Sequence, residues 1–142
     1  MFRKLFISML LFISLNSEEI LIIGDKNFPK ESLTLQEIRA IFLNKKRFIG
    51  GEQILVMNYE ANHPLRLCFE RNILDRSERS LERYWRKAYY KGKRPPKIIK
   101  STQMLFAYLD SVQPSIGYSD VNETINNVEV RILYRGECIY DR

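Results

Sequence analysis

Three observations predict an α/β fold with a mostly parallel sheet flanked by helices. Short apolar runs at Ile20–Ile23, Ile54–Met57, Ile98–Ile99 and Ser115–Ser119 alternate with stretches of helical periodicity. The first two runs are apolar without alternation, the pattern of strands buried on both faces. Three of the helical stretches open on strong capping residues, Thr34, Ser77 and Ser101.

The chain has 142 residues and a formal net charge of +6. Residues 1–17 read as a cleavable signal peptide. Arg3 and Lys4 supply the basic start, Leu5 to Leu15 an apolar run of eleven with two serines, and Ser17 a small residue before Glu18. A membrane-crossing helix needs about 20 apolar residues, so the run is short for a span. Leu15, three positions before the cut, is larger than cleavage prefers, which keeps an uncleaved anchor as the alternative. Residues 18–142 then form one domain, with room for a core but not for two lobes. The expected location is the periplasm, and the chain is not expected to be an integral membrane protein. Export removes most of the nucleic-acid meaning of a basic chain. Anionic solutes, an acidic partner or a membrane surface remain.

Cys68 and Cys138 survive processing. An even count in an exported chain invites a disulfide, while Cys68, between Leu67 and Phe69, also reads as a small buried hydrophobe. No cysteine or histidine spacing suggests a metal, and no cofactor is expected.

Along the chain, Ile20–Ile23 is a strand ended by Gly24-Asp25. Thr34 caps a helix, with Glu37 completing a capping box, and Leu35, Ile38, Ile41 and Phe42 share one face. Asn44 to Gly51 reads as a basic loop with a glycine pair. After the second strand, the Asn62-His63-Pro64 turn opens a helix to Leu74 whose apolar face is Leu65, Cys68 or Phe69, and Ile73. Ser77 caps a third helix with a stripe of Leu81, Tyr84 or Trp85, and Ala88. Lys91 to Pro96 is irregular. Ser101 caps a fourth helix through Leu105, Tyr108, Leu109 and Val112, which Pro114 stops. Asp120 to Asn127 is a polar turn, and Val128, Val130, Ile132 and Tyr134 alternate as a half-exposed strand.

In this order, Leu33-Thr34, Ile41-Phe42, Lys45, Arg66, Phe69, Tyr84-Trp85, Gly92 and Ile116-Gly117-Tyr118 resemble the phosphate-type periplasmic solute-binding proteins of ABC transporters, over roughly Ile20 to Tyr118. The resemblance implies a single lobe of that two-lobed fold. It also implies an inorganic oxyanion of the phosphate type as ligand, and an envelope protein or an ABC permease as partner. In the family, a Ser-Gly-Thr turn holds the oxyanion with backbone N–H groups at a helix start. This chain has His63-Pro64-Leu65 there; Pro64 lacks the N–H, Leu65 lacks a hydroxyl, and Arg66 alone remains to pair with an anion. The family's flanking arginine and aspartate fall near Tyr59 and Ala61.

The candidate ligand residues are therefore Arg66, Asn62, His63, Ser101 and Thr102, with helix capping as the structural alternative for Asn62 and Ser101 and a solvated turn as that for His63. Arg83 to Lys97 carries seven basic residues and no acid, interleaved with Tyr84, Trp85, Tyr89 and Tyr90. The aromatics read as core and the charges as a solvated face, with a docking patch as the alternative. Asp120 to Thr124 matches an acid-preceded sequon centred on Asn122, but such a match arises easily by chance and a plain polar turn is the preferred reading. The lone histidine has no nucleophile or carboxylate at a motif spacing, so no catalytic residue and no enzyme is expected. Two functions compete: a solute-binding-like domain with weak or altered oxyanion binding, and a scaffold that docks a partner through its basic face and binds no small ligand.

Overall fold

The computed structural model describes residues 17–121 and 128–139. The expected leader, apart from Ser17, and the sequon residue Asn122 lie outside the described residues.

In chain order the elements are β1 (Ser17–Asp25), α1 (Leu35–Phe42), a small ribbon of β2 (Phe48–Ile49) and β3 (Glu52–Gln53), and β4 (Leu55–Tyr59). Next come α2 (Pro64–Cys68), which runs into a π-helical turn (Phe69–Ile73), and α3 (Glu78–Tyr90). The chain continues as β5 (Lys97–Ile99), α4 (Thr102–Ser111), β6 (Ser115–Asp120) and β7 (Val130–Ile139). The central sheet has the order β5-β4-β6-β1-β7. β4 lies parallel to β5 and β6, whereas β1 is antiparallel to β6 and β7. Four strands thus run one way and β1 the other, which is the mostly parallel α/β sheet expected.

Ile20 to Ile23 are all buried, as a strand covered on both faces requires. The capping box forms as read, with Thr34 Oγ1 accepting from Glu37 N and Glu37 reaching back to Thr34 N. Ile38, Ile41 and Phe42 enter the core, and Leu35 packs half-buried against it. Asn44 then takes a left-handed φ of 56°. Lys45 N donates to Ala40 O and Asn44 N to Ile41 O, the paired bonds that end a helix on a left-handed residue.

Three sequence expectations need correction. The basic loop of residues 44–51 contains β2 and the turn into β3, because Gly50 and Gly51 both adopt positive φ and turn the chain tightly. The helix to Leu74 is α-helical only through Cys68; the wider turn that follows is held by Asn72 Nδ2 on Cys68 O and by Arg39 Nε on Ile73 O. The alternation in β7 breaks at a bulge. Ile22 pairs with Tyr134 but Ile23 with Ile132, so Leu133 is the extra residue. Leu133 is 2% exposed and Ile132 37%, the reverse of the expected facing, and Leu133 O accepts from Leu33 N.

Cys68 and Cys138 are joined in a disulfide that ties α2 to β7. The core centres on aromatic rings. Phe69 stacks on Tyr118 at 4.1 Å and meets Phe42 at 4.6 Å, while Tyr59 approaches Tyr118 edge-on at 5.4 Å. The Tyr118 hydroxyl donates to Asn58 Oδ1, and burial holds its pKa well above the ordinary tyrosine value.

Candidate functional site

The parallel pairing of Tyr59 with Ile99 brings the carboxyl ends of β4 and β5 to one edge of the sheet. The starts of α2 and α4 follow directly, so this edge gathers all five sequence-predicted residues. Ligands of open α/β sheets favour such an edge.

His63 is the N-cap of α2. Its Nδ1 accepts from Leu65 N at 3.2 Å, and its ring stacks on Tyr59 at 4.3 Å. It is half-buried, so the solvated-turn reading is replaced by a capping role. Asn62, expected as a cap, is exposed in the turn before it. Histidine takes the position because a tyrosine at the end of β4 offers a ring to stack on. Arg66 N and Leu67 N both donate to His63 O. With Pro64 at the first helical position, every N–H of the opening turn is absent or used within the chain.

Arg66 lines a cleft of about 310 Å³ together with Asn58, Glu70, Glu78, Glu82 and Trp85, over an apolar floor that includes Phe42, Leu81 and Ile98. Its guanidinium is engaged twice: Nε pairs with Glu70 Oε1 at 2.7 Å and Nη1 donates to Tyr59 O at 2.9 Å. Glu78 and Glu82, one turn apart on α3, add two carboxylates. Arg66 is the one cation among the residues that line this cleft, against three acids. An arriving oxyanion meets a guanidinium already neutralised in a field of negative sign. Ala61 lines the same cleft without a polar group, and Tyr59 contributes only its carbonyl to Arg66.

Ser101 caps α4, its Oγ accepting from Met104 N at 3.1 Å. Thr102 is the first residue of that helix. Neither lines the Arg66 cleft, so the shared edge does not bring them to Arg66. Glu70, Glu78 and Glu82 were not singled out from the sequence. The four-residue spacing of Arg66 and Glu70 was a readable signal, whereas the approach of α3 was not. Among the described residues no group of histidine, cysteine, aspartate and glutamate is placed to hold a metal ion, and no helix is long and apolar enough to cross a membrane.

The basic stretch has two characters. Tyr84 and Trp85 pack half-buried against the core, and Tyr84 donates its hydroxyl to Leu43 O. Tyr89 and Tyr90, also read as core, are 59% and 86% exposed. They fall off the Leu81–Ala88 stripe, and Tyr89 instead carries the Arg94 guanidinium over its ring at 4.3 Å.

A single lobe of this topology has the fold of a phosphate-type periplasmic binding protein. An ABC-type phosphate transport receptor from Vibrio cholerae superposes with a TM-score of 0.63 at 16% identity, over 82% of this chain and 46% of that one. A Clostridium perfringens protein, assigned as a phosphate ABC transporter substrate-binding protein and holding phosphate, gives 0.64 at 19% identity over 82% and 44%. PstS from Borrelia burgdorferi gives 0.60 at 11% identity over 89% and 50%. The chain spans about half the length of each. No protein-family model and no curated protein matches the sequence.

Proposed function

We propose that this chain is an exported, non-enzymatic lobe of the phosphate-receptor type that serves as a docking scaffold. Its Arg66 cleft lacks the charge of an oxyanion site. The observation that carries this reading is the Arg66–Glu70 pair, flanked by Glu78 and Glu82: the cation that would hold an oxyanion is already neutralised. The Cys68–Cys138 bond supports export, since such bonds persist in oxidising compartments. Docking falls to the basic face from Arg83 to Lys97, where Tyr89 and Tyr90 stand exposed among cations, and an envelope protein or an ABC permease is the partner.

A second reading, weak oxyanion binding through Arg66, is favoured by the likeness to a structure that holds phosphate and by the retained arginine. Its affinity would lie between millimolar and tens of micromolar, or about 4 to 6 kcal/mol. Calorimetry with phosphate and sulfate on wild type and Arg66→Ala separates the two. The scaffold reading expects no Arg66-dependent heat, and binding abolished by Arg66→Ala would replace it with the second reading. Mass spectrometry of protein from the native envelope tests export, which predicts a mature chain beginning at Glu18. A start at Met1 would indicate an uncleaved anchor.

A further inference from the structure

A second cleft, of about 250 Å³, lies across the Pro95-Pro96 segment from the Arg66 cleft. Both share Phe42 and the two prolines, but their charges are opposite. Among the described residues, the cations Lys46, Arg47, Arg94 and Lys97 line the second cleft, and no carboxylate does.

Two loops build its walls, and both are fixed by the chain's own hydrogen bonds. One leaves α1 through the left-handed Asn44; the other leaves α3 through Gly92 (φ 77°), with Gly92 N on Tyr89 O and Lys93 N on Ala88 O. Asn44 Nδ2 donates to Arg94 O at 3.0 Å and joins the two loops directly.

Lysines near helix ends commonly serve the last carbonyls, and that explanation does not account for these. Ala40 O already accepts from Lys45 N and Lys46 N, Ile41 O from Asn44 N, and Leu43 O from Tyr84. Arg94 is oriented by Tyr89 and by Lys93 O, and Lys97 lies over the Tyr108 ring at 5.2 Å. Among the described residues, the side chains of Lys46 and Arg47 enter no hydrogen bond or ion pair. Four cationic residues around one small cavity give it a positive field, and an anion placed there gains from that field.

We infer that this cleft binds a phosphoryl-bearing anion with two or more negative charges. Lys46 and Arg47 are its main contacts, Arg94 and Lys97 form the opposite wall, and Ile54 and Val56 make an apolar floor for an organic body. The inference stands on the cavity and its cations and does not require the scaffold reading. Two sources supply such a group: a soluble diphosphate and the headgroup of an anionic phospholipid.

The test is calorimetry of the intact oxidised chain with pyrophosphate at low salt, and co-sedimentation with vesicles of cardiolipin, whose headgroup carries two phosphates. Three proteins are compared: wild type, Lys46→Gln/Arg47→Gln, and Arg71→Gln, whose arginine lines neither cleft. Wild type should bind at least one of the two probes, the double variant should lose tenfold or more, and Arg71→Gln should stay within twofold. Loss confined to pyrophosphate identifies a soluble ligand, and loss confined to vesicles a lipid headgroup. Failure to bind either probe at millimolar concentration would overturn the inference. So would equal losses in Arg71→Gln, which would mark a diffuse surface charge.

Discussion

Replacing Glu70 with glutamine separates the shape of the Arg66 cleft from its charge. Glutamine keeps the side-chain length and an acceptor oxygen, so Arg66 Nε retains a partner where it now has a carboxylate at 2.7 Å. The guanidinium stays charged, so its bond to the amide remains charge-assisted and the loss is only the attraction of the carboxylate charge. Side-chain exposure is 21% for Arg66 and 9% for Glu70, which trims that attraction, so the variant should lose roughly 1 kcal/mol of stability. For an oxyanion held on the guanidinium roughly 6 Å from the former carboxylate, the relieved repulsion is about 0.7 kcal/mol in water-like surroundings and about 3 kcal/mol at an effective dielectric near 20. Phosphate affinity at this cleft should therefore rise by roughly three- to a hundredfold, and further when Glu78→Gln is added. Phosphate calorimetry and urea unfolding on the same preparations read both quantities. Unchanged stability together with unchanged affinity would refute the claim that Glu70 neutralises Arg66.

A Cβ on Gly117 would stand 2.5 Å from Leu105 Cδ1. Gly117→Ala should therefore cost about 1–3 kcal/mol in urea unfolding, with part of the loss recovered in the Gly117→Ala/Leu105→Ala double variant; simple additivity would mean the two residues do not meet. The disulfide spans a sequence separation of 70 residues, so Cys68→Ser/Cys138→Ser should lower stability by about 2–4 kcal/mol, and two free thiols titrated under denaturing, non-reducing conditions would disprove the bond. Burial raises the folded-state pKa of Tyr118 above its unfolded value of 10.0. The resulting stabilisation is complete below pH 10 and is lost as pH climbs toward the folded value, by up to about 1.4 kcal/mol per unit. The alkaline slope of stability should be shallower in Tyr118→Phe, and an identical slope would remove Tyr118 as its source.

What the sequence made legible was local. The Thr34–Glu37 capping box needs only residues three apart, and the buried runs of β1 and β4 carry their own apolar signal. Ser77 and Ser101 announce α3 and α4 in the same way, each accepting from the N–H three residues on. The facing of β7 was not legible, because the bulge at Leu133 is set by pairing with a strand more than a hundred positions earlier. Nor was the cap of α2, since histidine is an uncommon cap and gains the position through the ring of Tyr59. At the candidate site, Arg66 could be found by family resemblance and its pairing with Glu70 by the four-residue spacing, but Glu78 and Glu82 reach the cleft only through tertiary packing. Tyr89 and Tyr90 differ from Tyr84 only in helical phase, and a composition-based reading merged the two pairs.

Among the described residues, β7 forms one border of the central sheet and is paired through β1 alone. A border strand of ten residues is the piece of a fold most readily exchanged between two copies of a chain, one molecule's strand completing the other's sheet. Cys138 sits one residue before the end of β7 and is bonded to Cys68 in the body of the same molecule. The strand can therefore open only as a tethered loop and never as a free arm. Both sulfurs are buried, which shields the tether from reductants. In an oxidising compartment each copy keeps its own border strand. In a reducing one, the same sequence carries a detachable arm and a self-association route that its crosslink otherwise closes.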